Sequence, residues 1–144
     1  MIVKIVDSAN FIPLWDRIRP LFEKCFAKAA KGEITADDAA ELIARGRAIV
    51  IVGFDSEGIP EVIAAFEPNI FPRLKTLNLF ALAGTSNGVM RRYVEDGWLE
   101  RIKAWAVEMG YEAIDCWTSA AMQRIVKRYG FEQQYIHSRL LLEE

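Results

Sequence analysis

Apolar residues recur along this chain at two spacings, and the switches between them mark out its elements. Ile2 to Val6 (IVKIV) is short and rich in β-branched residues, which predicts a strand. Asp7, Ser8 and Asn10 then supply helix caps. Trp15, Ile18, Leu21, Phe22, Cys25, Phe26 and Ala29 follow at helical spacing up to Gly32. Pro20 falls inside that run and is expected to bend or break it, because proline lacks the N–H a helix needs. Thr35 opens a second helix with Asp37 and Asp38 in its first turn, where the helix dipole favours anions, and Gly46 closes it.

From there the spacing shortens. Ala48 to Phe54 (AIVIVGF) is a continuous apolar run, the signature of a strand covered on both faces. Asp55-Ser56-Glu57-Gly58 predicts a hairpin turn, and Glu61 to Glu67 a returning strand. Pro68 and Pro72 frame a second reversal, after which Leu74 to Ala83 forms a third strand of the meander. Asn87-Gly88, after Thr85-Ser86, is expected to be a turn.

The helical period returns with Trp98, Leu99, Ile102, Trp105, Ala106 and Met109, ending at Gly110. Trp98 and Trp105 share one helix face, which places them in the core. Tyr111 to Thr118 is expected to be a strand. Ser119 caps a helix carrying Met122, Ile125, Val126 and Tyr129 that stops at Gly130, and Phe131 to Leu142 is expected to close the chain as a strand. The predicted order is β-α-α-β-β-β-α-β-α-β. A meander followed by strand–helix alternation implies one α/β (α+β) domain over residues 1–144, with a mixed, mostly antiparallel sheet and helices on both faces.

Composition narrows the classes of function. With 144 residues, 52% of them hydrophobic, the chain can build a core without disulfides or metals. A net charge of −2 lacks the basic face that displaces counterions from nucleic acid. No run approaches the roughly 18 apolar residues of a membrane span, and the apolar start is broken at Asp7, too early for a signal peptide. Two cysteines, Cys25 and Cys116, both in apolar stretches, are expected to be reduced, buried thiols of a soluble cytoplasmic protein. The single histidine, His137, has no companion at metal-ligand spacing. No Walker loop and no Gly-x-Ser-x-Gly elbow is present.

The element order resembles the acyl-CoA N-acyltransferase (GNAT) superfamily. Ser119 to Phe131 is similar to that superfamily's last helix, stopping at Gly130 before Phe131 starts a strand; glycine permits the left-handed stop. Leu99 to Gly110, followed by Tyr-Glu-Ala-Ile-Asp-Cys-Trp, is similar to its cofactor-side helix and the strand after it. Within the superfamily the chain resembles the short GNAT-like proteins of bacteriophages and prophages. The features that match are Trp15, Gly46 before an apolar strand, Phe71-Pro72-Arg73-Leu74-Lys75, Gly84, and Trp105-Ala106 ahead of Gly110-Tyr111.

The resemblance implies a site that can be tested residue by residue. The strand ending Leu82-Ala83-Gly84 is expected to splay from its neighbour and hold the pantetheine arm of acetyl-CoA or CoA by backbone bonds. Arg91, Arg92 and Gly97 are the candidates for its phosphates, because Arg92-Tyr93-Val94-Glu95-Asp96-Gly97 is the nearest counterpart of the Gln/Arg-x-x-Gly-x-Gly/Ala loop. Its central glycine is replaced by Glu95, with Asp96 beside it. A carboxylate at about 4 Å from a phosphate costs on the order of 4 kcal/mol at an effective dielectric of 20. Both acids are expected to sit in the first turn of a helix.

The acid–base positions are empty as well. Val126 and Ser119 stand where relatives carry a Tyr and an Asn. Glu67 is the only carboxylate near the expected site, and it is expected to be a solvated strand end. Tyr129 points elsewhere on its helix, so no catalytic residue is assigned. Missing acid–base groups cost about 10²–10⁴ each in rate.

Two expectations follow. The first is a degenerate acyl-CoA site with a non-catalytic role, the partners being other proteins, among them phage virion components, or a further copy in an oligomer. The second is an active acetyl-CoA-dependent N-acetyltransferase acting on an amine.

Overall fold

The computed structural model describes residues 2–29 and 32–142. The chain forms β1 (Ile2–Val6), α1 (Ile12–Ala29), α2 (Ala36–Ala44), β2 (Ile49–Phe54), β3 (Pro60–Phe71) and β4 (Leu74–Gly84). These are followed by α3 (Asn87–Glu95), α4 (Trp98–Glu108), β5 (Ala113–Cys116) and α5 (Ala120–Lys127). The five strands lie in sequence order in one sheet, antiparallel except for the parallel pair β4–β5. The expected mixed sheet with helices on both faces is thus what the chain builds.

Period-two alternation divides the sheet residues between two cores. Val50, Val52, Phe54, Ile63 and Ala65 face α1 and α2, where they meet Ile18, Leu21, Phe22, Ala39 and Ile43. Ile51, Val62, Ala64, Phe66 and Leu77 face α3 and α4, where they meet Val89, Tyr93, Trp98, Ile102 and Ala106. Burying both faces is why β2 reads as an unbroken apolar run. Trp98 is buried and Trp105 half-buried, as their shared face implied.

Two helices begin as their caps dictate. Thr35 makes a capping box: its hydroxyl accepts from the Asp38 N–H at 3.2 Å, and Asp38 Oδ2 accepts from the Thr35 N–H at 2.9 Å. The Ser119 Oγ accepts from the Met122 N–H at 3.2 Å.

The structure differs from the sequence pattern at five places. α1 runs unbroken through Pro20; Ile18, Leu21 and Phe22 are buried on either side of it, and their packing outweighs the one helix bond that proline removes. β3 does not turn at Pro68 but continues to Phe71, and the reversal shrinks to Pro72-Arg73. Beyond Phe66, β3 has no β2 beside it, so a proline without an N–H is tolerated at position 68. Residues 87–95, expected to contain a turn and part of a phosphate loop, are instead the helix α3. β5 is four residues long, shorter than the run from Tyr111 to Thr118. Phe131 to Leu142 forms no strand; Phe131 is half-buried, and Tyr135, Ile136, Leu140, Leu141 and Leu142 stay exposed. No helix among the described residues is long and apolar enough to cross a membrane.

Candidate functional site

The upper half of β4 sets the geometry of the candidate site. β5 pairs with β4 only from Thr76↔Ala113 to Leu79↔Cys116, whereas β4 continues to Gly84 with β3 alone beside it. The opening starts at a bulge. Ala65 pairs with Ala81 and Phe66 with Leu79, so Phe80 is an extra residue on β4. Side-chain parity confirms this: Leu77 and Leu79 join the α3/α4 face, Phe80, Ala81 and Ala83 all join the α1/α2 face, and Leu82 returns to the first. One inserted residue shifts the alternation and turns the strand away from β5.

The register also decides which backbone groups face the opening. The Thr85 N–H donates to the Glu61 carbonyl at 2.9 Å, so in the antiparallel alternation the N–H and C=O of Gly84 and Leu82 point away from β3. These are the groups expected to receive a pantetheine arm, and α1 meets both residues. The Lys24 ammonium donates to the Gly84 carbonyl at 2.6 Å. The half-buried Cys25 thiol lies against the Leu82 backbone; burial raises that thiol's pKa and the backbone beside it opposes the rise.

Arg91, Arg92 and Gly97 belong to the end of α3 and the start of α4. The stretch 92–97 is not a loop leaving β4: Arg92 lies in the last turn of α3, Asp96 is its C-cap, and Gly97 (φ 91°) is the residue before α4. Arg92 is paired with Glu61 of β3. Its neighbour Tyr93 is fully buried over Gly53 of β2, where an added Cβ would stand 2.4 Å from the ring. The Tyr93 hydroxyl lies 2.8 Å from Glu61 Oε1 and 3.2 Å from the Phe54 carbonyl, sharing its one proton between them. Burial, and then the Glu61 carboxylate, push the Tyr93 pKa well up.

A second bulge makes this arrangement: Gly53 pairs with Val62 and Phe54 with Pro60, which leaves Glu61 as the extra residue and turns it toward α3. The cation chosen for a phosphate is therefore engaged by Glu61 of β3, whose carbonyl accepts from the Thr85 N–H just beyond Gly84. Arg91 is exposed, 4.0 Å from Glu95 one turn on. Glu95 and Asp96 end α3 and do not sit in its first turn, so the expected helix-stabilising role at an N-terminus is corrected.

The helix that does leave the opening is α3, with Ser86 as its N-cap and no side-chain cap bond. This segment was missed in the sequence because Asn87-Gly88 reads as a turn; the Ser86 cap with Val89 and Tyr93 one turn apart was the available signal. Positions 85–90, around its first turn, carry no basic residue. On the outward edge, Lys24 of α1 thus engages the Gly84 carbonyl and Cys25 lies against the Leu82 backbone, while Arg92 is engaged by Glu61.

The remaining candidates do not assemble an acid–base pair. Glu67 pairs with Asn78, below the bulge. Val126 is buried and Ser119 is occupied as a cap. His137 stacks edge-on against Trp117 at 5.1 Å, just beyond β5. Cys25 and Cys116 are free thiols, half-buried. No group of three or more His, Cys, Asp or Glu among the described residues is placed to hold a metal ion. Hollows of about 300 Å³ beside α2 and about 160 Å³ between β3 and α4 lie outside the opening.

No family model matches the sequence, and no curated protein does. Solved structures match over the whole chain. A probable acetyltransferase superposes with a TM-score of 0.75 at 15% identity, covering 100% of this chain and 99% of that one. An aminoglycoside acetyltransferase from an uncultured soil metagenomic sample gives 0.69 at 14% identity, covering 99% and 96%. The ribosomal-protein-alanine N-acetyltransferase of Brucella melitensis biovar Abortus 2308 gives 0.68 at 10% identity, covering 99% and 100%. At such identities the likeness establishes the fold alone: this chain has the acyl-CoA N-acyltransferase (GNAT) fold.

Proposed function

We propose that this chain is a GNAT-fold module that acts by contact with other proteins and not by acyl transfer, as a virion-associated or virion-internal component of a phage or prophage. The observation that carries the non-catalytic part is the meeting of Leu82 and Gly84 with Cys25 and Lys24 on the edge that would otherwise face a pantetheine arm. The engagement of Arg92 by Glu61, and Val126 and Ser119 at the acid positions, support it. The phage assignment rests on the resemblance of the sequence features alone. Calorimetry with acetyl-CoA tests the proposal. The expected result is no heat of binding at roughly 100 μM coenzyme, and a Kd of about 10 μM or tighter would overturn it.

A second reading, an acetyl-CoA-dependent N-acetyltransferase acting on an amine, is favoured by one observation, the opening between β4 and β5 itself. It requires α1 to release both edge residues. It predicts micromolar acetyl-CoA binding together with acetylation of a small amine panel, so the same titration separates the two.

A further inference from the structure

β2 begins at Ile49, opposite Phe66, so the hairpin end of β3 and β4 runs on without β2 beside it. Over that end stands the second half of α4, and at its side lie residues 46–48, which lead from α2 into β2. These parts do not close on one another. They leave the hollow of about 160 Å³, walled by Phe66 and Leu77 of the sheet, Trp105 of α4, its C-cap Met109, and Tyr111. Trp105 is only half-buried and Met109 is 53% exposed, whereas Trp98 and Ile102, earlier in the same helix, are buried. α4 is thus packed at its start and leaves apolar surface uncovered at its end.

The rim of the hollow carries a cation. Arg47 lines it on an anchored backbone: its N–H donates to the Leu42 carbonyl at 2.9 Å, and the Ala48 N–H to the same carbonyl at 3.2 Å. Arg45 is paired with Glu41, but the exposed Arg47 guanidinium has no hydrogen bond or ion pair among the described residues. Lys75 of β4 is engaged instead with the wall. Its ammonium lies 4.4 Å from the Tyr111 ring centroid and donates to the Met109 carbonyl at 3.4 Å.

We propose that this hollow binds a small aromatic carboxylate, the ring among Trp105, Met109 and Tyr111 and the carboxylate on Arg47. The volume sets the size of the occupant, because an apolar cavity of about 150 Å³ takes up one benzene molecule. The walls set its character: aromatic faces and an adaptable thioether suit a flat apolar ring. Arg47 sets its charge, since a guanidinium presents paired N–H donors that match a carboxylate. Apolar walls with one polar group to fix orientation are the usual make-up of a small-molecule site. The hollow lies beside the first half of β4, whereas Gly84 is the last residue of that strand. The inference therefore does not rest on the state of the coenzyme cleft.

A nitrogen–proton correlation titration of the full chain with benzoate tests it. The expected result is saturable binding with a Kd of about 1 mM or tighter, read at the Trp105 indole and the Arg47 amide. Acetate has the charge without the ring and benzyl alcohol the ring without the charge, so each should bind about fivefold more weakly or worse. Arg47→Gln should weaken benzoate about fivefold. Met109→Trp, at an exposed position, should abolish binding by placing its own ring in the hollow, with the unfolding midpoint retained. No saturable shift by about 10 mM benzoate overturns the inference. So does benzoate affinity that either substitution leaves unchanged, or equal affinity for acetate or benzyl alcohol.

Discussion

Below Phe80, β4 is laddered on both sides, to β3 and to β5; above it, β4 keeps only β3, and α1 meets its other edge. The lower half is sheet interior: Leu77 is buried, and the Thr76 hydroxyl donates to Asp115 of β5 at 2.7 Å. The upper half has the same backbone and an unbroken apolar sequence, yet the outward backbone of Leu82 and Gly84 is answered by side chains, Cys25 and Lys24. The difference originates in one inserted residue. It teaches that the opening which defines this fold can persist while side chains of α1 engage part of the edge it exposes.

That contrast can be broken most forcefully in the lower half. Leu77→Ala empties a fully packed site and is expected to cost about 3 kcal/mol in chemical denaturation. Leu82→Ala, half-buried at the opening, is expected to cost about 1 kcal/mol. Equal losses would mean that the two halves are packed alike.

The next largest effect concerns what holds α3 over β2 and β3. Gly53→Ala puts a methyl group where the Tyr93 ring lies, and overpacking of this kind costs about 2 kcal/mol. Full retention of stability would show that α3 is not seated there.

Tyr93→Phe is smaller, about 1 kcal/mol, because one hydrogen bond to Glu61 and the Phe54 carbonyl is lost while the ring remains. It also carries a pH signature. The folded state holds Tyr93 protonated above its ordinary pKa, so its contribution is complete below pH 10 and is lost as pH rises beyond that. The wild-type chain should therefore lose stability above pH 10 more steeply than Tyr93→Phe, and parallel curves would contradict the assignment.

Much of the architecture was legible because it rests on local rules. The double-faced burial of β2 follows from the unbroken run Ala48 to Phe54, and the starts of α2 and α5 from Thr35 and Ser119. The bulges at Glu61 and Phe80 were not legible, because an extra residue in a ladder is defined by its partner strand and leaves no mark in its own sequence. α3 was hidden because Val89 and Tyr93 are the buried residues among its described side chains, and it owes its place to Gly53 and Glu61, far away in the chain. The C-terminal strand was expected from composition, yet a strand also needs a neighbour, and none of the described strands of this chain provides it. Of the candidate site, Leu82 and Gly84 stand at the opening, whereas Arg91, Arg92 and Gly97 were placed by likeness to a loop that this chain builds as the end of a helix.

The central claim is that α1 engages the open edge of β4. A nitrogen–proton correlation titration with coenzyme A reads it at the two residues concerned. The account predicts that the Leu82 and Gly84 amide resonances stay in place up to about 1 mM coenzyme, the regime of weak, non-specific contact. Saturable shifts of those two amides at micromolar coenzyme would contradict it.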